Sequence, residues 1–586
     1  MKQETKICQN CKNQFVIETE DFDFYEKIKV PAPTWCPECR FKRRIIWRNE
    51  RKLFRGKSGL TGQSIFTLFP QDSGYTVYEN NEWHTDVWDP LSYGQEVDFS
   101  RPFLLQLSEL DKKVPKPAGS ALRMVNSDYS NNATDLKNCY LIFNSNYTED
   151  SAYGNGVDRC HLCFDNSHIQ DCDRCYGSFW LTKCYETNFS ARCEDCTNVW
   201  FSKDCRGCSN CFGCVNLRAK SYCIFNEQYS KEEYIEKLKE MDLSSWKGLS
   251  EAAKKVEAFW LKFPNKFMQG MQNSNVSGDF VTHSKDVLDS YLVRGGENLR
   301  YVQYSQLPPT KDCYDCSVGG NNAEQMYEVV VSGWGGSNLK FCWECWDNAF
   351  NLEYCMYCNS SSYLFGCSGV QKKQYCILNK QYTKEDYEKL RLKIIDHMNK
   401  MPYVDKQGRS YPYGEFFPIE FSPLAYNNSI LPDHFPLSKE EALAEGFRWE
   451  DYSAIEYQTT KDAKDIPDKI EDIQQDILKE ILKCEKCNRA YRLIKPELQF
   501  LKQLKIPAPR WCIDCRHNKR ISQRNRAVFY GRKCQCAGQK SENGVYQNTS
   551  SHFHTDNHCP NQFETSYSLD RPEIIYCEQC YQQEVV

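Results

Sequence analysis

Paired cysteines near both ends of the chain have the residue type and spacing of metal ligands. Each end carries a C-x2-C pair, 24 further residues and a second C-x2-C pair, and the two copies lie 476 residues apart. Four thiolates can surround one Zn²⁺ as a tetrahedron, which leaves no open position for a substrate. Modules this short bury little apolar surface, so metal binding would contribute much of their folding free energy. The pattern predicts two structural zinc sites, formed by Cys8, Cys11, Cys36 and Cys39 and by Cys484, Cys487, Cys512 and Cys515.

A third candidate metal site lies near the C-terminus. The segment CPNQFETSYSLDRPEIIYCEQCY (559–581) supplies three cysteines, and Asp556 stands three residues earlier, where a paired cysteine is expected. The sequence predicts a third zinc site and two to three zinc ions in all. Its ligands are Cys559, Cys577 and Cys580, with the fourth left open between Cys534, Cys536, His552, His554 and Asp556.

Basic segments follow both end modules directly. Residues 40–57 hold nine Lys and Arg against one Glu, and residues 510–533 hold eight against one Asp, although the chain carries a net charge of −5. A rigid zinc knuckle can fix where guanidinium groups project toward phosphates, and nearby tryptophans can stack on bases. The alternative is that these charges solvate a helix or pair with carboxylates of the chain. The candidate nucleic-acid contacts are Arg40, Lys42, Arg43, Arg44, Arg48, Arg516, Lys519, Arg520 and Arg524.

Between the end modules, cysteines recur with a period of three residues. From Cys139 to Cys223 every pair of cysteines differs by a multiple of three, and five from Cys160 to Cys208 are each twelve apart. Helices repeat near 3.6 and strands at 2, so neither explains the pattern. A narrow parallel β-solenoid with twelve-residue turns does explain it, and the spacing is similar to that of the insect antifreeze solenoids. Small side chains would fill such a core, so packing is favoured for these cysteines, with metal binding and disulfides as alternatives.

A second internal repeat predicts a second solenoid. GCVNLRAKSYCIFNEQYSKEEY (213–234) matches GCSGVQKKQYCILNKQYTKEDY (366–387), and each copy ends in a helix-capping signal. In the second unit Cys342 and Cys345 fall one residue out of phase, which indicates a bulge or a lengthened corner. We therefore expect a mainly β chain with helical linkers, in which two narrow twelve-residue-turn solenoids in tandem are flanked by small zinc-ribbon modules.

These patterns divide the chain into nine segments. They are a zinc ribbon with its basic segment (1–58), an aromatic connector (59–120), the first solenoid (121–228), a helical linker (229–266), the second, less regular solenoid (267–382), a helix (383–402), a connector with an acidic helix (403–482), the second ribbon (483–530) and the C-terminal zinc module (531–586). We further expect the two ribbons to lie near each other.

The composition bears on location and redox state. The N-terminus has no apolar run behind a basic start, and no stretch is long and apolar enough for a membrane span. We expect a cytoplasmic protein without a membrane partner. In that compartment the 34 cysteines are expected to be thiols or metal ligands rather than disulfides.

Three resemblances accompany these motifs. CQNCKNQFVIETEDFDFYEKIKVPAPTWCPECRFKRR resembles the "probable zinc-ribbon" modules, although its second copy has Ile513 for the proline inside the knuckle and Leu501 for Tyr25. The segment 559–581 is similar to another short bacterial zinc module. The segments YGQEVDFSRPF, CPNQFETSY and DRPEIIYCEQCYQQEVV resemble an uncharacterised cysteine-rich family of small-genome uncultured bacteria. Members of that family often carry an automatic CoA-transferase label, which no residue pattern here supports. The resemblances imply zinc binding and no particular activity.

The sequence favours a non-enzymatic role. We find neither a phosphate-binding glycine loop nor a nucleophile elbow. The first hypothesis is a zinc protein that binds RNA, DNA or a nucleoprotein through its basic segments. The second is an interaction scaffold that presents the solenoid to a protein partner. A third is thiol redox chemistry or metal storage.

Overall fold

Two stacks of short parallel strands form the body of the protein in the computed structural model, which describes residues 2–451, 457–538, 546–554 and 557–586. The chain is mainly β, with 31% strand and 24% helix. The predicted fold class, a tandem of β-solenoids flanked by cysteine clusters, is confirmed. Small modules at the chain ends pack onto the sides of the stacks.

The first stack repeats every twelve residues along its length. Ile169 pairs with Leu181, which in turn pairs with Cys193, and both pairings are parallel. A short antiparallel strand, Glu227–Gln228, ends the stack. Its parallel strands are Ala121–Leu122, Asn131–Thr134, Tyr140–Asn146, Ala152–Asp158, Ser167–Gln170, Phe179–Thr182, Ala191–Glu194, Thr197–Trp200, Ser209–Phe212 and Ser221–Ile224.

A left-handed backbone conformation recurs before the inward-facing residues of this stack. Asn138, Asp171 and Asp195 have φ values of 54°, 54° and 51°, and each precedes an inward cysteine. The left-handed region costs most residues about 1–2 kcal/mol, and Asn, Asp and Gly tolerate it best. These bends turn the chain at every third residue, which closes a coil too narrow for large side chains.

The second stack follows the same plan with longer turns. Val287 pairs with Leu299 at twelve residues, Leu299 with Cys313 at fourteen, and Cys313 with Met326 at thirteen. Its parallel strands are Gly270–Met271, Ser274–Thr282, Lys285–Arg294, Gly296–Arg300, Gln303–Ser305, Thr310–Ser317, Ala323–Ser332, Ser337–Cys345, Phe350–Glu353, Ser362–Phe365 and Gln374–Ile377, and Lys380–Gln381 closes it in antiparallel fashion.

The out-of-phase cysteines of the second stack have a simple cause. Trp343 pairs with Met356 across a turn of thirteen residues, one more than the regular period. The extra residue shifts the sequence phase while the side chains still point inward. Cys342 and Cys345 are accordingly both fully buried. The predicted lengthened corner is present.

Cysteine thiols fill the core of the stacks by packing. All 34 cysteines are free of disulfides, and those in the stacks are buried. The Cys175 thiol donates to the carbonyl of Asp173 at 3.5 Å and lies 3.7 Å from that of Cys184 in the next turn. Burial raises the pKa of the Cys139 thiol to about 11, so this sulfur keeps its proton at neutral pH. Among the three alternatives for these sulfurs, the structure favours packing.

Several helices begin at the caps that the sequence indicates. Ser230 caps Lys231–Glu240 with a reciprocal bond to Glu233, Thr383 caps Lys384–Lys400, and Ser438 caps Lys439–Ala444. The other helices are Thr19–Ile28, Pro37–Ile45, Asn80–Trp83, Phe103–Lys113, Trp246–Trp260, Leu431–His434, Lys495–Leu504, Ile513–Ile521 and Glu578–Val585.

The remaining strands form small pairings in the flanking modules and connectors. They are Glu4–Ile7 with Gln14–Ile17, Phe54–Lys57 with Ser64–Thr67, Val77–Tyr78 with Lys116–Pro117, Pro264–Lys266 with Ile574–Tyr576, Tyr403–Val404 with Ser410–Tyr411, Leu482–Lys483 with both Lys461–Asp462 and Ala490–Tyr491, and Tyr530–Lys533 with Gln562–Thr565.

The acidic helix predicted within 403–482 is wrong. Instead of a helix, the described residues of this part of the connector form the short 3-10 turns Ala463–Asp465, Ile470–Asp472 and Gln475–Lys479. Its isoleucines are buried against the second ribbon, so tertiary packing decided the local conformation. Residues 452–456 of the prediction lie outside the described residues.

Each end ribbon packs on the stack of the opposite half of the chain. In the first ribbon, Phe24 stacks on Tyr314 of the second stack with ring centroids 3.9 Å apart. In the second ribbon the equivalent Phe500 stacks on Phe164 of the first stack at 4.6 Å. The two ribbons also meet where Arg51 lies 3.5 Å from Asp514. The duplicated parts are therefore arranged as a crossed pair.

Candidate metal centres

The structure brings the four predicted sulfurs of each end ribbon together. Cys8, Cys11, Cys36 and Cys39 form one cluster and Cys484, Cys487, Cys512 and Cys515 another, with ligand atoms within 4.8 Å of one another in each. Zn–S bonds of about 2.3 Å place tetrahedral sulfurs about 3.8 Å apart. The Cys11–Cys36 and Cys487–Cys512 sulfur distances are 3.7 and 3.5 Å. The donor type and spacing in both clusters fit a tetrahedral metal ion.

Helix ends position the second knuckle of each ribbon. Cys36 and Cys512 occupy the N-cap positions of Pro37–Ile45 and Ile513–Ile521, and the fourth ligand follows in the first helical turn. The positive end of the helix dipole favours thiolate there. The same geometry directs the Cys512 N–H onto the Cys484 sulfur at 3.1 Å.

Hydrogen bonding favours the ligand form of the first cysteine in the second ribbon. Burial raises the pKa of the Cys484 thiol, but N–H donors from Cys512 and the first knuckle outweigh burial and bring that pKa down to about 7. A thiolate is the species that binds zinc. The local backbone therefore prepares this sulfur for a metal ion.

The C-terminal module repeats this geometry with a ligand from a different place. Cys534, Cys559, Cys577 and Cys580 form a third buried cluster. The Cys577 N–H donates to the Cys534 sulfur at 3.1 Å, as the third cysteine of each ribbon does to the first. Cys559 lies 3.8 Å from Cys577, sulfur to sulfur. Among the open alternatives for the fourth ligand of this group, the geometry selects Cys534, while Asp556 lies outside the described residues.

A fourth cluster was not expected from the sequence. Cys536, His552, His554 and Cys580 also bring their ligand atoms within 4.8 Å of one another. The sequence analysis treated Cys536 and the two histidines as rivals for a single vacancy. The number of these candidates was a signal for a further site, because one tetrahedral ion needs only a single fourth ligand.

The arginines of the first ribbon point into the protein. Arg40 and Arg44 both pair with Asp315 of the second stack at 2.9 Å, and all three side chains are at most 2% exposed. In solution, phosphate contact needs an accessible guanidinium group. The structure instead agrees with the alternative interpretation of this segment, pairing with carboxylates of the chain.

A second buried ion pair lies beside the first. Arg43 contacts Glu328 at 2.7 Å and Glu415 at 2.6 Å, and its side chain is 0% exposed. Its guanidinium also lies over the ring of Trp35, 4.5 Å from the ring centroid. Trp35 is itself fully buried, so neither side chain is available for stacking on a base.

The second ribbon uses the equivalent residues in the same way. Arg516 pairs with Asp165 of the first stack at 2.5 Å and with Glu497 at 2.7 Å. Arg520 pairs with Asp165 at 3.1 Å. Both arginines are less than 10% exposed.

The last candidate contact of each ribbon, Arg48 or Arg524, touches the other stack. Arg48 donates to the Asn144 side chain of the first stack at 2.6 Å and is bonded to Glu50 at 2.8 Å. Arg524 donates to the Tyr304 hydroxyl of the second stack at 3.0 Å. Each ribbon thus contacts both stacks.

The predicted basic surface is therefore mostly internal. We expected these side chains to project into solvent. In the structure they are buried, because carboxylates of the stacks pair with them there. Of the nine candidate contacts only Lys519 is substantially exposed, at 45% of its side chain, and it pairs with Glu257. Lys42 is 14% exposed and lies between Glu38 and Glu445.

Fold and clusters together define a cysteine-rich double β-solenoid with tetrahedral metal-ligand sets. No family model and no curated protein matches the chain. One solved structure from Desulfovibrio desulfuricans G20, described as a "putative acetyltransferase", shares 8% identity over 50% of this chain and 86% of that one, with a TM-score of 0.09. A score this low carries no argument. The family resemblances drawn from the sequence stay predictions.

Within the described ranges, no helix combines the length and the apolar character that a membrane span needs.

Proposed function

We propose that this protein is a non-enzymatic, zinc-stabilised scaffold whose paired solenoids present a rigid surface to another macromolecule. The observation that carries the proposal is the burial of the ribbon arginines in ion pairs with Asp165, Asp315 and Glu328. Zinc would fix the ribbon helices, and the helices in turn fasten the two stacks together. In this role the metal is structural.

The surface left open supports the same proposal. One side of the first stack carries exposed side chains at twelve-residue spacing, so its charges form regular rows. His161 lies between Asp150 and Asp173 at 3.5 and 3.4 Å, and Arg174 lies 3.5 Å from Glu186. Exposed pairs of this kind contribute little to stability. An ordered row of exposed charged side chains is suited to recognising a partner with complementary charges.

The nucleic-acid hypothesis is the competing function. The arginines that motivated it are buried, so phosphate contact would need them to leave their carboxylate partners. The two functions differ in salt dependence, because phosphate contacts weaken steeply as salt rises.

A binding experiment separates the two. Fluorescently labelled single-stranded RNA and duplex DNA would be titrated with purified protein between low and physiological salt. We expect no saturable binding at either. Saturable binding that weakens with salt and is lost in Lys519→Ala, the exposed candidate contact, but not in Glu227→Ala, would replace the scaffold proposal with the nucleic-acid one.

A second experiment tests the scaffold directly. Wild type and an Asp150→Lys/Asp173→Lys variant would each be used as bait for partners, with Glu236→Lys/Glu251→Lys as the control that changes the net charge by the same amount. We expect a partner that the control retains and the double variant loses. Identical capture by all three proteins would contradict a role for this face.

A further inference from the structure

The C-terminal module holds more metal ligands than one ion can use. Its buried cluster contains five cysteines and two histidines, Cys534, Cys536, Cys559, Cys577, Cys580, His552 and His554. A structural zinc ion takes four. Three ligands are therefore left over once the group equivalent to the ribbons is complete.

The leftover ligands form a tetrahedral set of their own only if they share one sulfur with the first set. Cys580 belongs to both groups. The His554 Nε2 lies 3.4 Å from the Cys536 sulfur and 3.3 Å from the Cys580 sulfur, and the His552 Nδ1 lies 3.1 Å from Cys536. Ideal zinc bonds to sulfur and imidazole place such atoms about 3.6 Å apart.

The rest of each imidazole is held as metal-bound histidines are. The His552 Nε2 lies 3.1 Å from the Glu584 carboxylate, and the two side chains are 1% and 0% exposed. The His554 Nδ1 lies 2.9 Å from the Asn557 carbonyl. A carboxylate or carbonyl acceptor on the far nitrogen fixes the tautomer and aims the near nitrogen at a metal.

Charge gives an independent reason for a second ion. Each of the five cysteines is at most 6% exposed. With one Zn²⁺ on the four-cysteine set and Cys536 left as a neutral thiol, two uncompensated negative charges remain in a buried site, which is costly. A second Zn²⁺ reduces the excess to a single negative charge, with both imidazoles neutral.

We propose that the C-terminal module binds two zinc ions in one cluster, with the Cys580 thiolate bridging them. The first ion has the ligands Cys534, Cys559, Cys577 and Cys580, and the second has Cys536, His552, His554 and Cys580. Both sets are complete, so both ions are structural. The chain then binds four zinc ions, and this count does not depend on the scaffold role.

Metal stoichiometry is the first test. Full-length protein would be purified with zinc and analysed for metal per chain. We expect four ions in the wild type and in His558→Ala, a matched histidine control from the same segment, and three in His552→Ala/His554→Ala. Three ions in the wild type, or four in the double variant, would overturn the second site.

The bridge itself is tested on unmutated protein, which avoids any folding defect. The chain would be loaded with ¹¹³Cd and examined by NMR. We expect four resonances, two of which are split by scalar coupling through the shared sulfur. Four resonances without coupling would overturn the bridge. A failed scaffold experiment would leave these results unchanged, so the two proposals can fail separately.

Discussion

At the scale of single residues, the same side-chain types serve different purposes according to what surrounds them. The Cys175 thiol in the first stack donates to a carbonyl oxygen, whereas the Cys484 sulfur of the second ribbon accepts the Cys512 N–H and is prepared as a thiolate. Arginines beside stack carboxylates likewise become internal ion pairs. Sequence spacing identified the ribbon cysteines, but the fate of the arginines depended on partners more than a hundred residues away.

A buried arginine should matter for stability far more than its exposed neighbour. Arg516→Ala leaves Glu497 without its cation in the interior and leaves Asp165 with Arg520 alone, so we expect a loss of about 3–5 kcal/mol in the free energy of unfolding. Lys519→Ala, on the same helix, should cost less than about 1 kcal/mol because its ion pair is exposed. Urea denaturation measures both. Equal losses of stability in the two variants would contradict the importance of the buried Arg516 ion pairs.

Glu344 should make stability depend on pH. Burial raises the pKa of this carboxyl to about 7, although Arg48 opposes the shift. The folded state then binds more protons than the unfolded state between about pH 4.5 and 7, so stability falls as the pH rises through this window. We expect Glu344→Gln to stabilise the protein by about 1–3 kcal/mol at pH 8 and to change little at pH 4. Denaturation midpoints at the two pH values test this, and a gain of equal size at both would contradict the assignment.

At the scale of elements, the period of three predicted the narrow coil, but not the backbone conformation that produces it. Asn, Asp and Gly recur at the left-handed positions, and that enrichment was a readable signal. It was obscured because residues such as Tyr147, with φ of 53°, occupy the same kind of position. The helix predicted in the acidic connector was wrong because the isoleucines of this segment pack on the second ribbon, and that tertiary packing imposes short turns.

Replacing one left-handed residue tests this conformation. Tyr147 is 48% exposed, so its side chain contributes little packing. Tyrosine already bears the cost of about 1–2 kcal/mol for the left-handed region. Tyr147→Val places a β-branched side chain there, and we expect a further loss of stability. Tyr147→Asn should be neutral or slightly stabilising, because asparagine tolerates this conformation. Thermal unfolding distinguishes them, and indistinguishable midpoints would argue against a left-handed residue there.

The two populations of cysteine should react differently with a thiol reagent. Of the 34 cysteines, 13 lie in the metal-ligand clusters and 21 in the stacks. A chelator should make the first group reactive, whereas the stack thiols should react only after unfolding, because burial keeps the reagent away from them. Mass spectrometry after pulsed alkylation locates the modified residues. Early labelling of stack cysteines on chelation would show that they, too, hold metal.

At the scale of the whole molecule, the crossed ribbons determine how the halves are joined. The duplication was visible in the sequence as repeats, but no repeat says which ribbon packs on which stack. That choice follows from the pairing of Arg40 with Asp315 and of Arg516 with Asp165. The two ribbon clusters were predictable because the ligand spacing within a ribbon is local. The docking of the ribbons was not predictable because it depends on residues far apart in the sequence.

Loss of one ribbon's metal should loosen the stack of the other half. In Cys8→Ser/Cys11→Ser we expect faster amide exchange around Asp315 in the second stack, with residues near Asp165 unchanged. Cys484→Ser/Cys487→Ser should show the reverse. Hydrogen–deuterium exchange with peptide resolution measures both. Faster exchange in the stack that is nearer to the mutated ribbon along the sequence, rather than in the other stack, would contradict the crossed docking.

The crossing also constrains how the chain is made. Arg40 and Arg44 of the first ribbon leave the ribosome 275 and 271 residues before Asp315, the carboxylate with which they pair. During that interval the cations of the ribbon helix are unpaired and Phe24 is exposed, so this state can bind chaperones or form incorrect contacts. Such long sequence separation slows folding and favours intermediates. The last event in assembly is therefore expected to be the closing of the two ends over stacks that have already formed.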